Sequence, residues 1–286
     1  MNILTTGANG QLGKSIQKLA PSYPNYNFTF TDFEELDITN FEQLKKFLSA
    51  HQFDVLINCA AYTAVDKAEE DIEKAELLNV TATEHLARLT KEFNIYLIHI
   101  STDFIFDGRK DLPYTEDEMP NPLSIYGKTK ADGENKIIKN AGNSSIIRTS
   151  WLYSEFGNNF MKTIIRLANE RGSLNIVDDQ TGTPTYAGDL AKWTLDILPK
   201  TTQTKGVQIY HYSNEGEASW YGFAKAIVDI KEINCQINPI PTKDYPLPAK
   251  RPSYSVMNKE KIKLKFGIAI PKWEESLRKC LALVPG

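Results

Sequence analysis

The sequence predicts an α/β protein: a Rossmann-type doubly wound parallel sheet with a smaller C-terminal substrate-binding lobe. Three observations predict it. A glycine-rich loop, Gly7-Ala-Asn-Gly10-Gln-Leu-Gly13, stands between a β-prone start and a helical run. Strand-like and helix-like segments then alternate through the first half, which is the pattern of βαβ units. After about residue 150 prolines and turn residues thicken, between Asp178 and Thr185 and again from Pro239 to Pro252, so the second half has another texture.

In chain order, Ile3-Leu4-Thr5-Thr6 reads as a short strand meeting the loop at Gly7, and Leu12 to Leu19 has helical spacing. Phe28 to Thr31 is β-prone, and Asp54 to Cys59 reads as a buried strand in which Cys59 is a small core residue. One long helix is expected from Ile72 to Glu92, with Leu77, Leu78, Leu86 and Leu89 on its apolar side. Ile95 to Ile100 and Ser145 to Arg148 are further strands. Helices are expected near Phe160–Glu170, Gly188–Leu198, Trp220–Ile230 and Pro271–Leu281. This places a dinucleotide-binding domain at 1–150 and most of the substrate lobe at 151–286, with segments from about 151–215 returning to the first domain.

Composition excludes several classes. The 286 residues carry 41% hydrophobic side chains and a net charge of −3, ordinary for a globular protein. No basic block appears, so no nucleic acid is expected as partner. Three scattered cysteines (Cys59, Cys235, Cys280) without CxxC spacing argue against a disulfide framework and a structural zinc site. The start, Met1-Asn-Ile-Leu, lacks a signal-peptide pattern, and no apolar run approaches the roughly 18 residues that span a bilayer. A cytoplasmic chain with no membrane partner is the expectation.

Gly7, Gly10 and Gly13 let the backbone turn tightly and approach a pyrophosphate, while the following helix supplies amides and a favourable dipole. The spacing is GxxGxxG rather than GxGxxG. Asp32 lies 19 positions beyond Gly13, where a carboxylate accepts a hydrogen bond from an adenosine ribose. A solvated turn aspartate is the alternative. Asp37 and Ile38, in the next loop, are within reach of the adenine. The acid nominally favours NADH, but neighbours can offset that, so the cofactor is NADPH or NADH.

Two strand ends and one helix carry the chemistry. Ligands in such sheets sit beyond the carboxyl ends of strands. There Ala60, Ala61, Tyr62 and Thr63 follow one strand, the alanines small enough for a flat cofactor, and Thr102-Asp103 ends the next. The Thr102 hydroxyl suits a substrate carbonyl or the oxyanion formed from it, unless it simply caps the loop. Tyr126 and Lys130 stand four residues apart, on one helical face. A nearby ammonium favours the phenolate and moves a phenol from its usual pKa of about 10 toward working pH.

These phrases resemble the extended short-chain dehydrogenase/reductase superfamily and, within it, the dTDP-4-dehydrorhamnose reductase family. Asn58-Cys-Ala-Ala-Tyr-Thr-Ala-Val-Asp-Lys-Ala-Glu69 and Arg148-Thr-Ser-Trp-Leu-Tyr153 are the selective ones; Ser101-Thr-Asp-Phe-Ile-Phe106, Gly157-Asn-Asn-Phe160, Asp179-Gln-Thr-Gly-Thr-Pro-Thr185 and Arg251-Pro252 match too. The resemblance spans nearly the whole chain. It implies NAD(P)H-dependent reduction of the C4 ketone of dTDP-4-dehydro-6-deoxy-L-mannose to dTDP-L-rhamnose. Tyr126 would donate the proton, Lys130 would hold the nicotinamide ribose and depress the pKa of Tyr126, and Thr102 would bond the carbonyl oxygen beside Asp103. Gly10, Gln11 and Leu12 would line the pyrophosphate, and Ala61, Tyr62 and Thr63 would flank the cofactor. Trp151 would cover the deoxysugar and Arg251 would hold the nucleotide phosphates, although Trp151 packing under the lobe and a solvated Arg251 explain the same residues. Asn79 resembles the superfamily's relay asparagine, or sits in a polar cluster.

The chain departs from members that bridge a dimer through glutamates and magnesium: it has Ser15, and Gly188-Asp189, at the expected places. No metal is therefore expected, that dimer is doubted, and a monomer or weak dimer is anticipated. Rival readings are a sister nucleotide-deoxysugar 4-ketoreductase with a 6-deoxytalose-type product and a non-catalytic dinucleotide-binding regulatory subunit. An epimerase or dehydratase shares the Tyr-Lys pair, but dehydratases add an acidic pair where this chain has Thr102-Asp103-Phe104.

Overall fold

The computed structural model describes residues 1–285. Strand β1 (Asn2–Thr6) runs into helix α1 (Gln11–Leu19), and β2 (Asn27–Thr31) is followed by α2 (Phe41–Ala50). After β3 (Val55–Asn58) come α3 (Val65–Ala68), α4 (Ile72–Glu76), a π-helical turn over Leu77–Thr81, and α5 (Ala82–Glu92). Then follow β4 (Tyr96–Thr102), α6 (Ile125–Asn140) and β5 (Ser144–Thr149). The second half holds β6 (Leu152–Tyr153), α7 (Phe160–Glu170), β7 (Ser173–Val177), β8 (Thr181–Gly182), β9 (Thr185–Tyr186) and α8 (Ala187–Thr201). It ends with β10 (Val207–His211), β11 (Ala218–Ser219), α9 (Trp220–Ile230), β12 (Gln236–Ile240), α10 (Glu260–Phe266) and α11 (Trp273–Leu281).

Six strands build one wholly parallel sheet in the order β2-β1-β3-β4-β5-β10. The strands are apolar on both faces because helices cover both. Successive residues alternate between layers: Ile3, Ile57, Ile98 and Ile147 pack with Leu12, Ile16, Leu190 and Leu198 on one face. Leu4, Leu56, Leu97 and Ile146 pack with Leu44, Leu86, Leu89 and Ile137 on the other. The strand order reverses at β1, between β2 and β3. A crevice therefore opens beyond the carboxyl ends of β1 and β3, the position where such sheets bind ligands. A separate apolar cluster, including Met161, Ile164, Phe223, Ile227 and Leu277, forms the core beneath α7, α9 and α11.

The helix expected from Ile72 to Glu92 is interrupted in its hydrogen bonding by the π turn at Leu77–Thr81. A π turn inserts an extra residue and rotates the helix face. Leu77, expected on the apolar side, is consequently 46% exposed, while Asn79 turns inward at 1%. Cys59 lies past the end of β3, half-buried: it packs against the core and also lines the wall of the crevice.

Helix α6 is fastened to the sheet by charge as well as packing. Glu134 receives Nε and Nη2 of Arg148 on β5, the closest contact 2.7 Å, and both side chains are 2% exposed. Ser101 of β4 donates to the same carboxylate. On the opposite side, a Cβ at Gly133 would overlap the carbonyl of Asn79, so α6 and the π turn touch backbone to backbone. Removing one partner of a buried pair leaves an uncompensated charge. Arg148→Met is therefore expected to lower unfolding free energy by about 3–5 kcal/mol in denaturant titration, with Arg148→Met/Glu134→Leu recovering part of the loss.

Candidate active site

The crevice is a cleft of about 760 Å³ along the carboxyl edge of the sheet. At its centre Gly7 takes a left-handed φ of +67°, and a Cβ there would meet the backbone of Ala60. The loop from β1 and the end of β3 thus meet backbone to backbone. Helix α1 starts at Gly10 with no side-chain cap, so its first amides face the cleft free to bond an anion. Asp32 accepts from the amides of Asn9 and Phe33, at 2.8 Å each. Those bonds orient its carboxylate at the cleft and leave lone pairs for a ribose diol. An uncapped helix start, a glycine cradle and a fixed carboxylate fit a dinucleotide.

Further along the cleft stand Thr102, Tyr126 and Lys130. The Ser124 hydroxyl caps α6 by accepting from the Gly127 amide, which sets Tyr126 in the first helical turn. Phe104 packs edge-on against its ring. Burial pushes the Tyr126 phenol up to about 12; a hydrogen bond with Thr102 opposes this and the Asp103 carboxylate adds to it. This corrects the expectation that Lys130 depresses it. Burial dominates, and Nζ of Lys130 is instead spent on the Ile100 carbonyl at 2.7 Å and lies 3.2 Å from His99 Nε2. Burial also brings the Lys130 amine down to about 8, against the opposing charge of Glu134. Tyr126 is accordingly a neutral phenol at physiological pH, the state a proton donor requires. Behind Thr102, burial raises Asp103 to about 7, with the Ser255 and Thr102 hydroxyls only partly offsetting it.

Of the residues the sequence singled out, Gly7, Gly10, Gln11, Leu12, Asp32, Asp37, Ile38, Ala60, Ala61, Thr63, Thr102, Tyr126, Lys130 and Trp151 line this one cleft. Gly13, Tyr62, Asp103 and Arg251 do not. Gly13 packs on the Gly7 carbonyl and Ala8. Tyr62 points its hydroxyl at Asp71 (2.9 Å), while its backbone is held at both ends by Asn79. Asn79 also donates to Thr129, so it sits in a polar cluster. Asp103 is 1% exposed, behind the wall. Arg251 makes a two-pronged pair with Asp66, at 3.0 and 2.7 Å, and lines a second cavity of about 790 Å³.

That second cavity adjoins the cleft through Phe160 and Trp220, which line both. Trp151 lies flat on Trp220, ring centroids 3.5 Å apart, with a strained φ of +44°. Trp220 escaped the sequence reading, because only folding brings the first residue of α9 against the residue before β6. Gln11 was read for its backbone alone. Its side chain donates to the Leu152 carbonyl and accepts from Ser154 and Asn159, tying the glycine loop to the lobe. The quoted Gly157-Asn-Asn-Phe160 phrase was the available signal for that tie. Ser15 bonds the Gln11 carbonyl, and Asp189 accepts from Asn214 and Ser276. Among the described residues no group of three His, Cys, Asp or Glu could hold a metal ion, and no helix is long and apolar enough to cross a membrane.

A dinucleotide cradle at the switch point and a buried phenol beside a buried amine together define a nicotinamide-dependent oxidoreductase of the short-chain dehydrogenase/reductase type. Relatives narrow it. The family model described as RmlD substrate binding domain matches residues 1–284. A dTDP-4-dehydrorhamnose reductase of Aggregatibacter actinomycetemcomitans is 42% identical over 96% of this chain and 97% of its own length. A crystal structure of a dTDP-4-dehydrorhamnose reductase from Clostridium acetobutylicum superposes with a TM-score of 0.94 at 41% identity, covering 99% of both chains. That of the Bacillus anthracis enzyme in complex with NADP gives 0.93 at 36%, again covering 99% of both. The chain belongs to the dTDP-4-dehydrorhamnose reductase family and is an NAD(P)H-dependent oxidoreductase.

The raised Asp103 has a consequence for stability. A carboxyl whose folded pKa (about 7) exceeds its ordinary 3.8 adds stability that is complete below about pH 4 and is lost as pH rises through 7. Asp103→Asn is expected to leave the unfolding free energy near pH 4 little changed and to raise it at pH 8 by on the order of 2–4 kcal/mol. Denaturant titration at the two pH values checks this; equal effects at both would remove the assignment.

Proposed function

We propose that this protein reduces the C4 ketone of dTDP-4-dehydro-6-deoxy-L-mannose to give dTDP-L-rhamnose, with Tyr126 as proton donor. The observation that carries the reading is the cleft itself, in which the neutral Tyr126 phenol and the Thr102 hydroxyl share one wall with the glycine cradle. Gly10, Gln11 and Leu12 would hold the pyrophosphate, Asp32 the adenosine ribose, and Lys130 the nicotinamide ribose. Bound NAD(P)H supplies the hydride to the carbonyl carbon. Tyr126 and Thr102 direct their hydroxyls at the carbonyl oxygen, so negative charge developing there meets two donors. Tyr126 then yields its proton to that oxygen, and Phe104 and the surrounding burial exclude water from the transfer.

The adjoining cavity supports a nucleotide-linked sugar. It carries Arg171, Lys250 and Arg251 for a diphosphate, and Gln180, Trp220 and Tyr245 for a base. Asp66 orients the Arg251 guanidinium and the Ala249 carbonyl takes a further Nη1–H, leaving the Nε–H and one Nη2–H available. The Trp151–Trp220 stack stands at the junction of the two cavities, where an apolar ring face covers a deoxysugar.

Supplying dTDP-4-dehydro-6-deoxy-L-mannose with NADPH or NADH should oxidise the cofactor and give the rhamnose product. Failure to oxidise it, or a 6-deoxytalose product, would sink the reading. Tyr126→Phe is expected to lose ~10²–10⁴ in kcat with cofactor affinity little changed. Arg251→Met should raise KM more than it lowers kcat, the signature of lost ground-state binding, as steady-state kinetics would show.

A further inference from the structure

A buried chain of polar groups runs behind the reductase site and has a hydrogen count that fixes more than its geometry. His99 lies on β4 and is 1% exposed. Its Nδ1 is 3.0 Å from Asn58 Nδ2, and its Nε2 is 3.2 Å from Lys130 Nζ. Asn58 cannot be turned the other way. Its Oδ1 accepts from the Ala60 amide at 3.1 Å and from the Thr6 hydroxyl at 2.8 Å, and a backbone amide can only donate. The Asn58 amino group therefore faces His99, so Nδ1 is the acceptor and carries no proton. A neutral imidazole has one N–H, and here it must be on Nε2. That N–H points at Lys130 Nζ. An ammonium has three donors and no lone pair, so it would meet a donor head-on; an amine would accept the bond.

We propose that His99 is a positioning residue for Lys130: at mildly alkaline pH its Nε2–H donates to the Lys130 amine in the cofactor-free protein, so that Lys130 takes up a proton as the dinucleotide binds. The inference rests on Lys130 holding the nicotinamide ribose. As the amine, Lys130 donates to the Ile100 carbonyl and keeps a further N–H for the cleft. Binding brings the pyrophosphate's negative charge into a cleft whose only lining cation among the described residues is Lys130. This favours the ammonium, and the proton comes from solvent. The bond from His99 is then lost, a cost that adds to burial in keeping the uptake near pH 8 rather than far above it.

The other groups around Lys130 do not replace His99 in this role. Glu134, one helical turn further along α6, favours the ammonium, but it is neutralised by Arg148 of β5. Tyr126, on the preceding turn, is a neutral phenol. Asp103, beyond Thr102, acts on Tyr126. Cys59, past β3, has its thiol held up at about 12 by burial and is uncharged. His99 is kept neutral by burial first, and by the charge of Lys130 once that side chain is an ammonium.

Two measurements test this, and neither depends on the sugar substrate. At mildly alkaline pH, long-range 15N NMR of the cofactor-free protein, whose four histidines can be assigned by substitution, is expected to show His99 neutral with its proton on Nε2. A proton on Nδ1, or an imidazolium, would overturn the proposal. Affinity for NADH, measured by fluorescence across the neutral to alkaline range, is expected to weaken above the Lys130 pKa. In His99→Gln a carboxamide oxygen accepts from the ammonium, so that alkaline break should move up by about one pH unit or more, roughly a tenfold gain in proton affinity. An unmoved break in a folded His99→Gln protein would also overturn it. Should that variant not fold, the tautomer of the wild-type protein decides alone.

Discussion

The buried pair between Glu134 and Arg148 is the constraint on which the site depends. Glu134 follows Lys130 by four residues as Lys130 follows Tyr126, so all three lie on one face of α6. Arg148 comes from β5 and Ser101 from β4, and both bond the same carboxylate. A carboxylate and a guanidinium at 2% exposure have no water to fall back on, so only the docked geometry leaves both charges satisfied. Docking α6 in that register presents Tyr126 and Lys130 at the carboxyl edge of the sheet. The backbone contact of Gly133 with Asn79 closes the other side of the helix.

Burial also sets the chemistry of the cleft. It keeps the Tyr126 phenol protonated, brings the Lys130 amine down and brings Asp103 up toward neutrality. Each shift favours the uncharged form, as desolvation must. A site built this way holds hydroxyl donors ready for a carbonyl oxygen and leaves the strong charges to the ligand. At the glycine-loop end the case is reversed: Asp32 is fixed by two amides and faces an open cleft.

The two cavities are one working surface because specific side chains cross between the halves. The Gln11 side chain binds the glycine loop to Leu152, Ser154 and Asn159. Asp66, in the short helix α3, orients Arg251 in the far loop. The Trp151–Trp220 stack stands where the cavities meet, and the positive φ at Trp151 is local strain held by that packing. The two cavities therefore stay joined only when both halves hold their register.

The sequence by itself determined the parallel sheet, the glycine cradle, Asp32 and the Tyr126–Lys130 spacing. These are local patterns of period, turn and loop that a linear reading can see. It also carried Thr102, Ala60 and Ala61, because the ends of buried strands are legible as ends of apolar runs. Tertiary structure alone decided the rest. The π turn exposed Leu77 and turned Asn79 inward, and the partner of Arg251 proved to be Asp66, 185 residues away. Tyr62 turned its ring to Asp71, Trp220 came to face Trp151, and Glu134 and His99 joined the site from behind. Even the sign of the Tyr126 shift was reversed. Protonation follows from how much water a group loses and which distant dipoles replace it, and neither quantity is written in the spacing of residues along a chain.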